Sequence, residues 1–179
     1  MEKCNQCLGA SNFHYGVRGK NADRSKILFV LNKPDSRTHS LFGYEAALQE
    51  TKTGQQLAEI LKYNGITFED IYLTNFYKCS LSHDREPSKK EYKKCLKIFK
   101  EQIKEFKPEK IVLFGRNPYM HLFPESSKKE NLEKKAGKIL HLKRIPVMIS
   151  LHPSTIWALR APEKQEIHYR KIQDFLTRQ

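Results

Sequence analysis

Hydrophobic and polar positions follow two rhythms along this chain. Four short runs are continuously apolar and rich in β-branched or aromatic residues: KILFVL (26–31), IYLTNF (71–76), KIVLFG (110–115) and PVMISL (146–151). Runs of this length and composition read as buried strands. Strands apolar on both sides suit a parallel sheet covered on both faces. Between them the period changes to that of a helix. TGQQLAEILKYNG places Leu57, Ile60 and Leu61 on one face and ends at Gly65, a good helix stop. In PSKKEYKKCLKIFKEQIKEFKP, Ser88 and Glu91 have the spacing of a capping box. Tyr92, Cys95, Leu96, Phe99, Ile103 and Phe106 then form an apolar stripe, and Pro108 follows its end. The opposite face of that segment is lysine-rich and reads as a solvated surface. EKQEIHYRKIQDFLTR makes a last helix.

The order of strands and helices predicts an α/β fold, a three-layer α/β/α sandwich around a central four-stranded parallel sheet. Two stretches fit neither rhythm. Residues 32–45 follow the first strand, and residues 124–138 read as a polar, mobile connection. In open α/β sheets ligands bind beyond the carboxyl ends of the strands. The positions to watch are therefore Asn32 to Asp35, Asn75 to Cys79, Gly115 to Asn117 and His152 to Ser154. Asn75 stands out, because an amide there interrupts an apolar run that closes on Cys79.

Size and charge narrow the partners. A chain of 179 residues fits one domain, residues 1–179, with a core large enough to need no disulfides. The formal net charge is +13, which points first to nucleic acid and second to an anionic membrane surface. No run approaches the length of a membrane span. The first residues, MEKCNQCLGASNF, lack the apolar core of a secretory signal, so a cytoplasmic location with reduced thiols is expected.

The four cysteines are Cys4, Cys7, Cys79 and Cys95. The first two form C-x2-C in a polar segment, which scattered core thiols do not explain. Four thiolates suit tetrahedral zinc or an iron–sulfur cluster, and the spacing does not separate the two. With all positions filled by protein, such a centre is structural.

Taken together, C-x2-C, YLTNFYKC, REPSKKEYKKC, KIVLFG and LHPS resemble the iron–sulfur uracil-DNA glycosylases, families 4 and 5 of their superfamily. The likeness runs from Cys4 to the final helix. It implies a 4Fe–4S cluster on Cys4, Cys7, Cys79 and Cys95, with zinc the minority alternative. It implies DNA as the partner, no organic cofactor and a monomeric enzyme. The reaction implied is extrusion of a nucleotide from the duplex and cleavage of its N-glycosidic bond.

By the same resemblance, His152 stabilises charge on the departing base, and Asn75 contacts its Watson–Crick edge. Gly115 permits close approach of DNA, and Ser154 caps a helix or meets phosphate. Ile156 and Trp157 are candidates to fill the vacated stack, and Phe42 to stack on the extruded base. The first motif departs from the family. Where G-E-A-P-G is typical, this chain has Leu31, Asn32, Lys33, Pro34 and Asp35. Asn32 takes the place of the glutamate that positions water. An amide orients water but accepts no proton; Asp35 is a nearby carboxylate, a candidate base or equally a turn cap. Lys33 is a candidate contact to phosphate or to a substituent on the base. The altered motif leaves a bulkier modified pyrimidine, or binding without chemistry, as alternatives to uracil.

Overall fold

The computed structural model describes residue 7 and residues 10–11, 13–34, 51–81 and 85–178. Its first half contains β1 (Ala10–Ser11), β2 (Val17–Arg18), α1 (Ala22–Ser25), β3 (Ile27–Leu31), α2 (Lys52–Tyr63), β4 (Ile71–Asn75), β5 (Ser80–Leu81) and α3 (Lys89–Phe106). There follow β6 (Lys110–Phe114), α4 (Arg116–Leu122), α5 (Pro124–Lys129), α6 (Leu132–Lys135), β7 (Ile139–Leu142), β8 (Ile145–Ser150), α7 (Pro153–Ala158) and α8 (Pro162–Thr177).

The main sheet has the order β2-β4-β3-β6-β8-β7. The four strands expected from the apolar runs form its centre and are mutually parallel. The sheet is nevertheless six-stranded and mixed, a correction to the four-stranded parallel sheet. Short antiparallel strands close both sides, β2 on β4 and β7 on β8. β2 has only two residues, too few to show a period. β7 and β8 form a hairpin around Lys143 and Arg144, with Lys143 at φ +58°. Such turns favour glycine or asparagine, so this lysine gave no turn signal.

Neighbouring strand residues point to opposite faces. In β3 the residues from Leu28 to Val30 have no exposure at all, so both faces are covered. On one face Tyr72 packs edge-on against Phe106 of α3, with ring centroids 5.1 Å apart. Helices α2, α7 and α8 pack against one another, and α8 also packs on β8. One continuous apolar core joins these elements.

The predicted helix ends are present. Ser88 Oγ accepts from the Glu91 amide at 3.3 Å, and Glu91 returns the contact by accepting from the Ser88 amide at 2.8 Å. Gly65 follows α2 at φ +66°, a conformation that costs glycine little. Residues 124–138 are more regular than expected. They carry α5 and α6, with Asn131 capping α6 by accepting from the Lys134 amide at 3.1 Å and Leu132 buried beneath. Helices of four to six residues are too short to show an amphipathic period.

Candidate active site

Parallel register brings the four strand ends to one edge. Leu31 pairs with Asn75, Val30 with Leu113, and Phe114 with Ser150. Asn75, Asn32, Gly115 and His152 therefore all emerge at the carboxyl edge. Three inter-strand steps separate the outer members, Asn75 and His152, or roughly 14 Å between their strands.

His152 caps the N-terminus of α7, the first turn after β8. Its Nδ1 accepts from the backbone amide of Ser154 at 3.4 Å and lies 2.8 Å from Ser154 Oγ. A ring nitrogen that accepts from an amide carries no proton. The neutral ring must then be protonated on Nε2, leaving an N–H donor on the far side. Burial pushes the His152 pKa down to about 4, so the ring is neutral at pH 7. Against it stands Gly115. A Cβ at that position would lie 3.5 Å from His152 Cβ and Cδ2, an ordinary contact. Space therefore does not demand glycine, but the backbone does, with φ at +93°.

Asn75 ends β4 and is only 1 % exposed. Its carbonyl accepts a hydrogen bond from the ammonium of Lys78, a side chain with no exposure. Lys78 Nζ also donates to Thr74 Oγ1 at 2.9 Å and to Gln102 Oε1. Gln102 in turn donates to Tyr72 Oη at 2.6 Å and to the Tyr15 carbonyl. Desolvation pulls the Lys78 pKa down to about 7, opposed by the thiols of Cys95 and Cys79. This buried polar network fixes the end of β4. The sequence pattern does not reveal it, although Lys78 lies within the YLTNFYKC stretch.

Asn32 leaves β3 with its carbonyl accepting from the Tyr77 amide at 2.9 Å. Its side-chain Oδ1 is buried and accepts no hydrogen bond among the described residues. Such an oxygen costs about 1–3 kcal/mol until a donor reaches it.

The Uracil DNA glycosylase superfamily profile matches residues 19–176. The chain belongs to that superfamily. Among curated proteins it is similar to the Type-4 uracil-DNA glycosylase of Archaeoglobus fulgidus, 27 % identical, with 94 % of this chain and 86 % of the relative covered. It is also similar to the Type-4 uracil-DNA glycosylases of Saccharolobus solfataricus (25 % identical; 99 % and 83 % covered) and Thermotoga maritima (26 % identical; 97 % and 88 % covered).

Within this member of the glycosylase superfamily, Cys7, Cys79 and Cys95 line one small cavity with Tyr77 and Glu91. Glu91 is engaged elsewhere: both its oxygens accept from Arg85, at 2.7 and 2.8 Å. That contact, with the Ser88 amide, holds its pKa at about 2. Thiols are thus the donors the cavity offers. Among the described residues no three His, Cys, Asp or Glu side chains stand at metal-binding spacing. Cys4 lies outside the described residues, as do Asp35 and Phe42. The pairing of β1 with β5 lays the segment after Cys7 against the residues following Cys79.

The two candidate stack-filling residues follow His152 on α7. Ile156 has no exposure and packs in the core. Trp157 lines a groove between α2 and α8 with Gln55, Tyr63 and Tyr169, and Lys52 Nζ sits 4.2 Å above its ring. Ser154 is exposed, and its hydroxyl is turned to His152. Lys33 is half-buried beside Asn32. An aromatic group beyond the sequence reading stands beside β4. His121 stacks on Tyr92 at 4.1 Å between centroids and on Phe76 at 5.6 Å, and its Nε2 lies 2.6 Å from Tyr77 Oη.

Proposed function

We propose that this chain is a monofunctional DNA glycosylase that extrudes uracil, or a closely related pyrimidine, and hydrolyses its N-glycosidic bond. The observation that carries this reading is the neutral His152, held by Ser154 with a donor N–H to spare, on the sheet edge that also bears Asn75 and Asn32.

As the bond from C1′ to the base breaks, its electron pair leaves with the base, and the sugar becomes oxocarbenium-like. His152 Nε2–H donates to the pyrimidine oxygen on which that charge gathers. A neutral donor fixed in advance needs no reorganisation at that moment. Asn75, rigid on the network of Lys78, offers a carboxamide to the polar edge of the base. The buried Oδ1 of Asn32 accepts from the attacking water and orients it toward C1′. The water's proton is released to the departing base or to Asp35. An amide suffices here because an oxocarbenium-like sugar demands a weak nucleophile only.

The cysteine set fits a 4Fe–4S cluster in its donor chemistry: three soft thiols share a cavity whose one carboxylate is taken by Arg85. Cys7, Cys79 and Cys95 would hold it with Cys4. When bound, the cluster supplies a structural tie between the N-terminal segment, the end of β4 and α3. Reduced thiols and DNA as substrate fit a cytoplasmic enzyme, and no described helix is long and apolar enough to cross a membrane.

A second reading has one specific feature in its favour. Asn32 and Lys33 replace the family's first-motif residues beside the site, which suits a pyrimidine with an added substituent. Duplexes carrying uracil or a series of substituted pyrimidines, each incubated with the purified chain, test both. Release of uracil at the highest rate supports the first reading, and preferential release of a substituted base the second. Free base from none of them contradicts both.

A further inference from the structure

The outer face of α3 carries Lys89, Lys90, Lys93, Lys97, Lys100 and Lys104, all exposed. At 100° per residue these six fall within a sector of about 100°. No acid lies inside that sector; Glu101 stands about 20° beyond its edge and Glu105 about 60° beyond it, where Glu105 accepts from Tyr15 Oη at 3.3 Å. Among the described residues none of the six lysines is in an ion pair. A solvated helix face is commonly laced with i,i+4 pairs of opposite charge. This one bears a single sign along roughly 22 Å.

Its direction matters. α3 starts beside the cysteine cavity at the carboxyl edge of the sheet and runs back to the other edge. There Lys26 Nζ donates to the Phe106 carbonyl at 3.4 Å and the Glu109 amide to the Lys26 carbonyl at 2.9 Å. The first turn of α3 is the part nearest the carboxyl edge. Lys97, Lys100 and Lys104 lie beyond it, on the flank of the molecule.

We propose that this lysine track is a second DNA-binding face, separate from the substrate edge, that holds the phosphodiester backbone of another duplex segment. Charge complementarity selects the occupant: the track spans about six base-pair rises along a duplex axis, lined with phosphate charge. It has the lysine point charges of sequence-independent binding, without base-reading amides. Bound to one segment by the edge and to another by the flank, the enzyme transfers between them without passing through free solution. The inference rests on the DNA-directed reading above.

The test uses unmodified duplex, so that it reads binding alone. In the variant Lys93→Gln/Lys97→Gln/Lys100→Gln/Lys104→Gln, glutamine keeps helix propensity and removes charge; circular dichroism verifies the fold. The comparison variant Lys62→Gln/Lys143→Gln/Arg144→Gln removes exposed charge elsewhere. The slope of log affinity against log salt is expected to fall by about 3 in the α3 variant, near 0.9 for each phosphate that is no longer neutralised. It should change by less than about 1 in the comparison variant. Native mass spectrometry should show two short duplexes on the unaltered chain and one on the α3 variant. A single duplex on the unaltered chain at every excess, or equal slopes in the two variants, overturns the proposal. So does loss of binding to anionic vesicles with duplex binding intact. Base release, assayed separately on uracil duplex, tests the glycosylase reading: its absence with the slope change intact would sink that reading and leave the second face standing.

Discussion

His152 and Ser154 form a closed pair: the imidazole Nδ1 receives the Ser154 amide and sits 2.8 Å from the Ser154 hydroxyl. The pair sets which nitrogen carries the proton. With the pKa lowered to about 4, activity should hold from pH 8 down to about 5 and fall only as the ring protonates. A pH profile of kcat for excision checks this. An acid limb near 6.5 would show a ring of ordinary basicity.

The same pKa makes a stability prediction. Between pH 6.5 and 4 the unfolded chain binds a proton at His152 that the folded chain refuses. Stability from this residue is therefore full above pH 6.5 and declines as pH falls toward 4. Denaturation of the native chain and of His152→Gln at both pH values should show the native chain losing more.

Ser154→Ala removes the hydroxyl partner and leaves the backbone one. A loss of about 10-fold in kcat with little change in KM is expected, against roughly 100- to 1000-fold for His152→Ala. Steady-state kinetics on a uracil duplex measures both. Equal losses would place Ser154 in contact with substrate instead of behind the histidine.

Lys78→Met strips the donor from Thr74 Oγ1, the Asn75 carbonyl and Gln102 Oε1. Buried acceptors left without a donor should cost about 2–4 kcal/mol by urea denaturation. Adding Gln102→Leu should deepen the loss, since it removes the stranded Oε1 but takes the donor from Tyr72 Oη and the Tyr15 carbonyl.

Much of this was legible in the sequence. The four central strands, the capping box at Ser88 and Glu91, and the strand-end positions Asn75, Gly115 and His152 follow from period and from the edge rule for parallel sheets. What was not legible has physical causes. The two added strands are short, and β7 turns on a lysine at positive φ. Ile156 follows a motif that reads as exposed, yet its position in the short helix α7 turns it into the core. Lys78 and Gln102 pair across sequence, and composition carries no trace of buried partners. Asp35, Phe42 and Cys4 lie outside the described residues and remain expectations from the sequence.

The central claim is that one sheet edge presents a neutral imidazole donor and a rigid carboxamide to a single extruded pyrimidine. Single-turnover excision from a uracil duplex measures it most directly. The account predicts free uracil and an abasic strand with the native chain, and rates lowered at least about 100-fold by His152→Ala and by Asn75→Ala with DNA affinity nearly unchanged. Native-like rates in both variants would contradict it.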